Sequence, residues 1–293
     1  RLFSSLFLAE MITKRLFFRT LSPSQEKMLI ALATYKFLTT GQLLVLGIMS
    51  ERANLNKQIS ELRLWRNPLI GSVTFGVHPT FWKLESVHYL TSHGVNLISE
   101  RMDADAVIRH PKTGTVLFGQ DYFHRISTID VHIAMKEQSA WKGFELLFFL
   151  TYFDQVSSGK KNGYRAESSI KISENEYLIA DAIAMLQTPK RKELYAIEVF
   201  NGNNTNRVHA SLLQHLKALS FGQPSKQFKL NYGSRVLWIF ESENNMVSVM
   251  KRLQEDERFK KSKAYFLFKT LEEMKEDIFE GWWLFGGEKV GLF

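Results

Sequence analysis

Pro68 splits the first hundred residues into halves of different periodicity. Proline removes a backbone donor and biases its predecessor away from the helical region, so a helix running into it stops. Ahead of Pro68 lie three helix-length segments. Ser22-Pro23-Ser24-Gln25 reads as a helix start: Ser22 caps, Pro23 suits the first turn, and Gln25 stands at the capping-box spacing. Leu29, Leu32, Ala33 and Phe37 follow at helical spacing. Thr39 or Thr40 opens a second, short helix through Leu43, Leu44 and Leu46, and Ser50 caps a third from Glu51 to about Trp65. Beyond Pro68, residues 69–91 are β-rich around a turn near Gly76 to Pro79, and Ser92-His93-Gly94 begins another helix to about Met102. Three helices followed by a β-hairpin form the winged-helix layout, a variant of helix-turn-helix.

The third helix carries the chemistry of that segment. Leu55, Ile59 and Leu62 share one face, as core contacts do, and Arg52, Asn56, Lys57 and Arg63 lie away from it. In a winged helix this element enters the major groove, where Lys and Arg neutralise phosphates and Asn can bond adenine bidentately. The net charge of +8 and sequence pI of about 9.4 agree with a polyanionic partner, and we expect double-stranded DNA.

After a loop at 103–119 the pattern changes again. Asp121 to Gln138 is helical, Phe144 to Tyr152 has strand length, and Glu176 to Met185 and Glu193 to Phe200 read as strands. Asn206 to Ser220 is helical, Val236 to Phe240 a buried strand, Asn244 to Glu255 a helix and Tyr265 to Phe268 a last strand. The class is α+β, a winged helix followed by an α/β sandwich. We divide the chain into a lead-in helix at 1–21, a winged-helix DNA-binding domain at 22–102, a linker at 103–119, an α/β domain at 120–280 and a tail at 281–293. Gly281-Trp282-Trp283 in that tail is expected to be packed aromatic surface.

Several classes of function fall away. The chain has 293 residues and no cysteine, so thiolate metal sites, disulfides and a cysteine nucleophile are excluded. No P-loop, His-Glu-x-x-His or Gly-x-Ser-x-Gly occurs. No apolar run reaches the roughly 18 residues of a membrane span, and no signal-peptide cleavage site follows the apolar start, so a cytoplasmic location without membrane insertion is expected.

Two acids stand out in the second half. Asp181 closes the apolar strand Tyr177-Leu178-Ile179-Ala180, and Glu198 closes Leu194-Tyr195-Ala196-Ile197. Adjacent strands that each finish in an acid either expose both to water or bring two carboxylates within a few ångströms. In the second case a cation must lie between them, and Mg²⁺ is the usual one. Lys217, with Gln214 one turn before it, follows on the next helix, where a lysine can face charge developing on a phosphate.

Taken in order, these segments resemble the replication-relaxation family, which includes MobC-type plasmid relaxases. The resemblance spans about residues 22–240. It rests on Tyr89-Leu90-Thr91-Ser92-His93-Gly94, a helix opening with Phe123-His124, strands holding Ala180-Asp181-Ala182 and Ile197-Glu198-Val199, and a helix with Leu213, Lys217 and Leu219. It implies a restriction-endonuclease-like (PD-(D/E)xK) second domain that nicks DNA at a plasmid transfer origin with Mg²⁺ or Mn²⁺. In that pattern Asp181 and Glu198 are the metal acids. Phe200 stands where the family's lysine belongs, and Lys217 would replace it. Asp130 or Glu137 would supply an extra acid, with His124 and Gln214 as further site residues; Tyr164, Tyr177 and Tyr195 are near enough in sequence for covalent attachment to DNA. Two other readings stay open: a non-catalytic accessory factor that recruits relaxosome proteins, and a defence nuclease of the same fold.

Overall fold

The computed structural model describes residues 20–80, 82–103, 106–111, 121–157 and 163–293. The expected lead-in helix lies almost wholly outside these residues. The chain divides into two compact units, 1–116 and 117–293.

The first unit starts with α1 (Pro23–Tyr35), β1 (Leu38–Thr39), α2 (Thr40–Val45) and α3 (Arg52–Arg63). The expected capping box at Ser22 forms, and a second one opens α2. Ser22 Oγ accepts the Gln25 N–H at 3.3 Å while the Ser22 N–H donates to Gln25 Oε1 at 3.0 Å. Thr39 and Gln42 repeat this exchange at the start of α2, at 3.1 and 3.0 Å. Ser50 does not cap α3: Glu51 occupies the cap position, without a side-chain capping bond. Leu55, Ile59 and Leu62 are buried as the stripe requires, and Arg52, Asn56, Lys57 and Arg63 are all exposed.

Four strands and a helix complete this unit: β2 (Ile70–Val73), β3 (Val77–His78), β4 (Trp82–Lys83), β5 (Val87–Leu90) and α4 (Ser92–Ser99). β5 lies between β1 and β2, antiparallel to both, and β3–β4 form a separate hairpin at the far end of the β2–β5 pair. Thr91 turns the chain into α4. Its hydroxyl accepts the Gly94 N–H at 3.2 Å and donates to the Pro68 carbonyl. Gly94 is required there by close approach, since a Cβ would stand 2.1 Å from the Leu69 carbonyl oxygen.

The second unit is a mixed α/β assembly. It comprises α5 (Tyr122–Trp141), β6 (Glu145–Thr151), β7 (Gln155–Ser157), β8 (Tyr164–Ala166), β9 (Ser169–Lys171), β10 (Tyr177–Ile179), β11 (Ala182–Gln187) and β12 (Lys192–Phe200). Next come α6 (Thr205–Ser220), α7 (Gln223–Gln227), β13 (Arg235–Phe240), α8 (Glu243–Glu255), a 3₁₀ turn (Glu257–Tyr265), β14 (Phe266–Thr270), α9 (Leu271–Glu276), β15 (Trp282–Trp283) and β16 (Lys289–Val290). Seven strands form one mixed sheet in the order β16-β15-β14-β13-β12-β11-β6. The pairs β6–β11 and β11–β12 are antiparallel, whereas β12–β13 and β13–β14 are parallel. Alternate residues feed two cores. Ile183, Leu194, Ala196 and Trp238 pack with α6 and α8, while Ala184, Tyr195, Ile197 and Leu237 pack with α5 and α9.

Three expectations need correcting. Residues 176–185 are two strands, because the chain leaves the β9–β10 hairpin at Ala180-Asp181 and joins the large sheet at Ala182. Glu198 is not terminal, since β12 continues to Phe200. Residues 281–293 are no tail: β15 and β16 extend the sheet, and Trp282 is fully buried, its indole N–H donating to the Ile278 carbonyl at 2.7 Å.

The contact at Gly94 is backbone against backbone and cannot relax by a rotamer change. Gly94→Ala is expected to destabilise the first unit by about 2–3 kcal/mol. Hydrogen exchange should then rise across 22–102 and stay unchanged in 122–293.

Candidate functional site

Strand register brings the two acids together. The last β11–β12 pair is Ala182 with Ile197, so one step further sets Asp181 across from Glu198. Directly opposed residues in an antiparallel pair point to the same side, with Cβ atoms about 5 Å apart. The Val199 N–H donates to Asp181 Oδ2 at 2.7 Å, which fixes one carboxylate oxygen to the edge of β12.

A helix reaches each acid from its own side. His124, in the first turn of α5, lies 2.8 Å from Asp181 Oδ1 through Nε2. His215, on the inner face of α6, lies 2.5 Å from Glu198 Oε1 through Nε2. The result is a continuous row, His124–Asp181–Glu198–His215. Its two ends differ in exposure: the side chains of His124 and Asp181 are 30% and 15% exposed, whereas His215 and Glu198 are 2% and 10%. The His124 end is therefore the more open to solvent.

Burial sets the protonation states. Desolvation pushes the Glu198 carboxyl well above the usual carboxylate range; the charge of Asp181 and a hydrogen bond to it push the same way, and Arg207 opposes them. Burial lowers His215 to about 3, so it meets Glu198 as the neutral imidazole. Burial also disfavours charge on His124, but the hydrogen bond and charge of Asp181, the charge of Asp121 and a hydrogen bond to Asn201 outweigh it, and the His124 pKa is raised.

The surroundings hold this row in place. Asn201 Nδ2 donates to Ser127 Oγ at 3.0 Å, joining the end of β12 to α5. Asp121 accepts from Arg125 Nε and from the Tyr152 hydroxyl, each at 2.8 Å, and the Tyr152 ring lies 5.4 Å from the His124 ring. Burial, then the Asp121 hydrogen bond, keep the Tyr152 hydroxyl protonated.

Of the residues expected here, Asp181, Glu198 and His124 converge. Lys217 does not join them: its ammonium bonds Glu176 Oε2 at 2.6 Å. Two facts account for this. Lys217 is two residues beyond His215, so it projects about 200° around the helix from the face that meets Glu198. Glu176 stands five residues before Asp181 at the other end of an extended segment, about 15 Å away. Asp130 pairs with Lys275 at 2.6 Å and lies more than a turn beyond His124 along α5. Glu137 is half-buried, a further two turns along, and Gln214 is exposed. Tyr195 is buried and donates to the Leu292 carbonyl at 3.0 Å, whereas Tyr164 and Tyr177 are exposed on the small hairpins.

Sequence reasoning missed His215, Arg207 and Asn201. One signal pointed to His215: it interrupts the apolar row Val208, Leu212, Leu219 on α6, the place for a polar group with a buried partner. Nothing local marks the other two.

Among the described residues, no group of three or more His or acidic side chains is arranged to hold a metal ion. No described helix is long and apolar enough to cross a membrane. No protein-family model, curated protein or solved structure matches this chain.

The neutral His215 gives a testable acid limb. Its folded pKa lies below the unfolded value, so its contribution to stability is complete above about 6.5 and is lost as pH falls toward about 3. His215→Gln is expected to make stability fall less steeply between those values, measured by denaturant unfolding at a series of pH values.

Proposed function

We propose that this chain is a DNA-processing protein whose second unit nicks one strand with Mg²⁺ or Mn²⁺, and whose first unit is a winged helix that binds the duplex. One observation carries the reading: strand register sets two carboxyl groups side by side, where burial and the Asp181 charge oppose ionisation of Glu198 and a cation between them would favour it. Two carboxylates, completed by water and phosphate oxygens, are the number that Mg²⁺ commonly takes from a protein. Such a cation activates water and offsets charge on the phosphate.

The element order supports a restriction-endonuclease-like second unit. Helix α5, the antiparallel strands β6, β11 and β12, helix α6 and then the parallel strand β13 follow that fold's sequence of elements. The acids also lie beside the carboxyl ends of β12 and β13, where the chain crosses through α6 and ligands bind in α/β sheets. In the first unit, the exposed polar face of α3 and the hairpin after it fit a duplex-binding module.

The chain's own groups divide the work. Asp181 and Glu198 hold the cation, and the Val199 N–H and His215 fix their rotamers. Arg207, whose positive charge favours ionisation of Glu198, is the residue we assign in place of Lys217 to offset charge on the phosphate. The resemblance to the replication-relaxation family makes a plasmid transfer origin, met in the cytoplasm, the substrate of this reading. One observation favours a second reading, the non-catalytic accessory factor: Phe200 occupies the lysine position and Lys217 is tied to Glu176.

Purified protein, supercoiled plasmid and Mg²⁺ or Mn²⁺ decide between them. Nicking at one site is expected, with Asp181→Asn and Glu198→Gln each abolishing it and duplex affinity retained. Arg207→Ala should slow nicking on the order of 10²-fold. General cutting would favour a defence nuclease, and binding without any cutting would leave the accessory factor.

Duplex binding should weaken steeply with salt as counterions are released. Lys57→Ala is expected to lower affinity for all sequences and reduce the salt slope by about one. Asn56→Ala should relax sequence preference instead, by about 1–3 kcal/mol. Filter binding at several salt concentrations measures both.

A further inference from the structure

The β3–β4 hairpin carries a feature that packing does not explain. Trp82 is 80% exposed, and its backbone φ is +57°, a left-handed conformation that a bulky residue rarely adopts. Val77, on the facing strand, is 72% exposed. Exposure leaves the indole wet, and the backbone angle adds strain. Such strain persists where the surrounding structure over-determines it, and it clusters at functional sites.

The hairpin is built to hold this ring outward. Trp82 pairs with His78 and Lys83 with Val77 in antiparallel register. The Thr80 N–H donates to His78 Nδ1 at 3.1 Å, tightening the turn. At the base, the Leu84 N–H donates to the Gly76 carbonyl at 3.4 Å. The hairpin thus continues from the far end of the β2–β5 pair.

Charge favours a polyanion at this hairpin. Lys83 stands beside Trp82 and is exposed. Glu85, in the link between β4 and β5, is already engaged by the Gly41 N–H at 2.9 Å and by Arg52 of α3. Burial alone would raise its pKa, but those partners lower it, so its charge is matched inside the unit.

We propose that Trp82 is a wedge: its indole enters an opened base step of duplex DNA and stacks on the exposed base, while Lys83 contacts the adjoining phosphate. An exposed indole can stack on any base, and inserted apolar side chains are a general means of unstacking a step. This rests on the duplex-binding reading above and adds to it that the duplex is opened, not only held.

The test uses the full chain and two labelled duplexes of the same sequence, one perfect and one with two adjacent mismatches, in fluorescence anisotropy. The parent should bind the mismatched duplex more tightly, by roughly tenfold. Trp82→Ala should bring the ratio of the two affinities close to one and leave affinity for the perfect duplex within a few fold. Trp82→Phe should keep most of the preference. A parent that binds both duplexes equally, or a Trp82→Ala variant that keeps the preference, overturns the wedge while leaving duplex binding intact. Absence of any duplex binding overturns the underlying reading as well. Loss of self-association in Trp82→Ala by analytical ultracentrifugation, with the preference unchanged, assigns the ring to a second copy instead.

Discussion

The pairing register of β11 with β12 is the constraint on which the candidate site depends. One residue of slip would send Asp181 or Glu198 to the opposite face of the sheet. The apolar residues that follow Asp181 and precede Glu198 oppose such a slip, because Ala182, Ile183, Ala184, Ile197, Ala196 and Tyr195 are all buried, on one face or the other. Hydrophobic burial thereby fixes a polar contact. Burial and the charge of Asp181 oppose ionisation of Glu198, and the packed strands hold the two carboxyl groups in one spot.

The helices complete what the register begins. α5 and α6 cover opposite faces of the sheet, and each extends one histidine toward the end where the acids stand. The two histidines meet different surroundings. His215 is enclosed and neutral, so it is suited to fixing a carboxyl rotamer. His124 is partly open and lies among Asp181, Asp121 and Asn201, so its charged form is favoured. Identical side chains thus take different states from burial and neighbours alone.

In the first unit the organising contact is of backbone with backbone. Gly94 lets α4 touch the carbonyl of Leu69, and Thr91 bonds both Pro68 and Gly94, so the start of β2, the end of β5 and the start of α4 are locked at one corner. The sheet so anchored carries the β3–β4 hairpin outward at its other end. Burial of Leu55, Ile59 and Leu62 at the same time turns the polar side of α3 to solvent.

The sequence by itself determined the local features: the Ser22 capping box, the buried stripe of α3, the helical and β halves around Pro68, the buried strands of the second unit and the identity of the two acids. These depend on interactions within one turn or one strand, where residue type and spacing decide the outcome. The break at Ala180-Asp181 was hidden, because a continuous apolar run reads the same whether it serves one sheet or two. The Trp282 segment was misread as surface because its partner, β14, is fixed only by assembly of the sheet. Lys217 and His215 show the same limit at the site: both lie on one helix, and only the phase of α6 against β12 decides which of them meets Glu198. Strand register and helix phase arise from burying many side chains at once, so they belong to the tertiary structure.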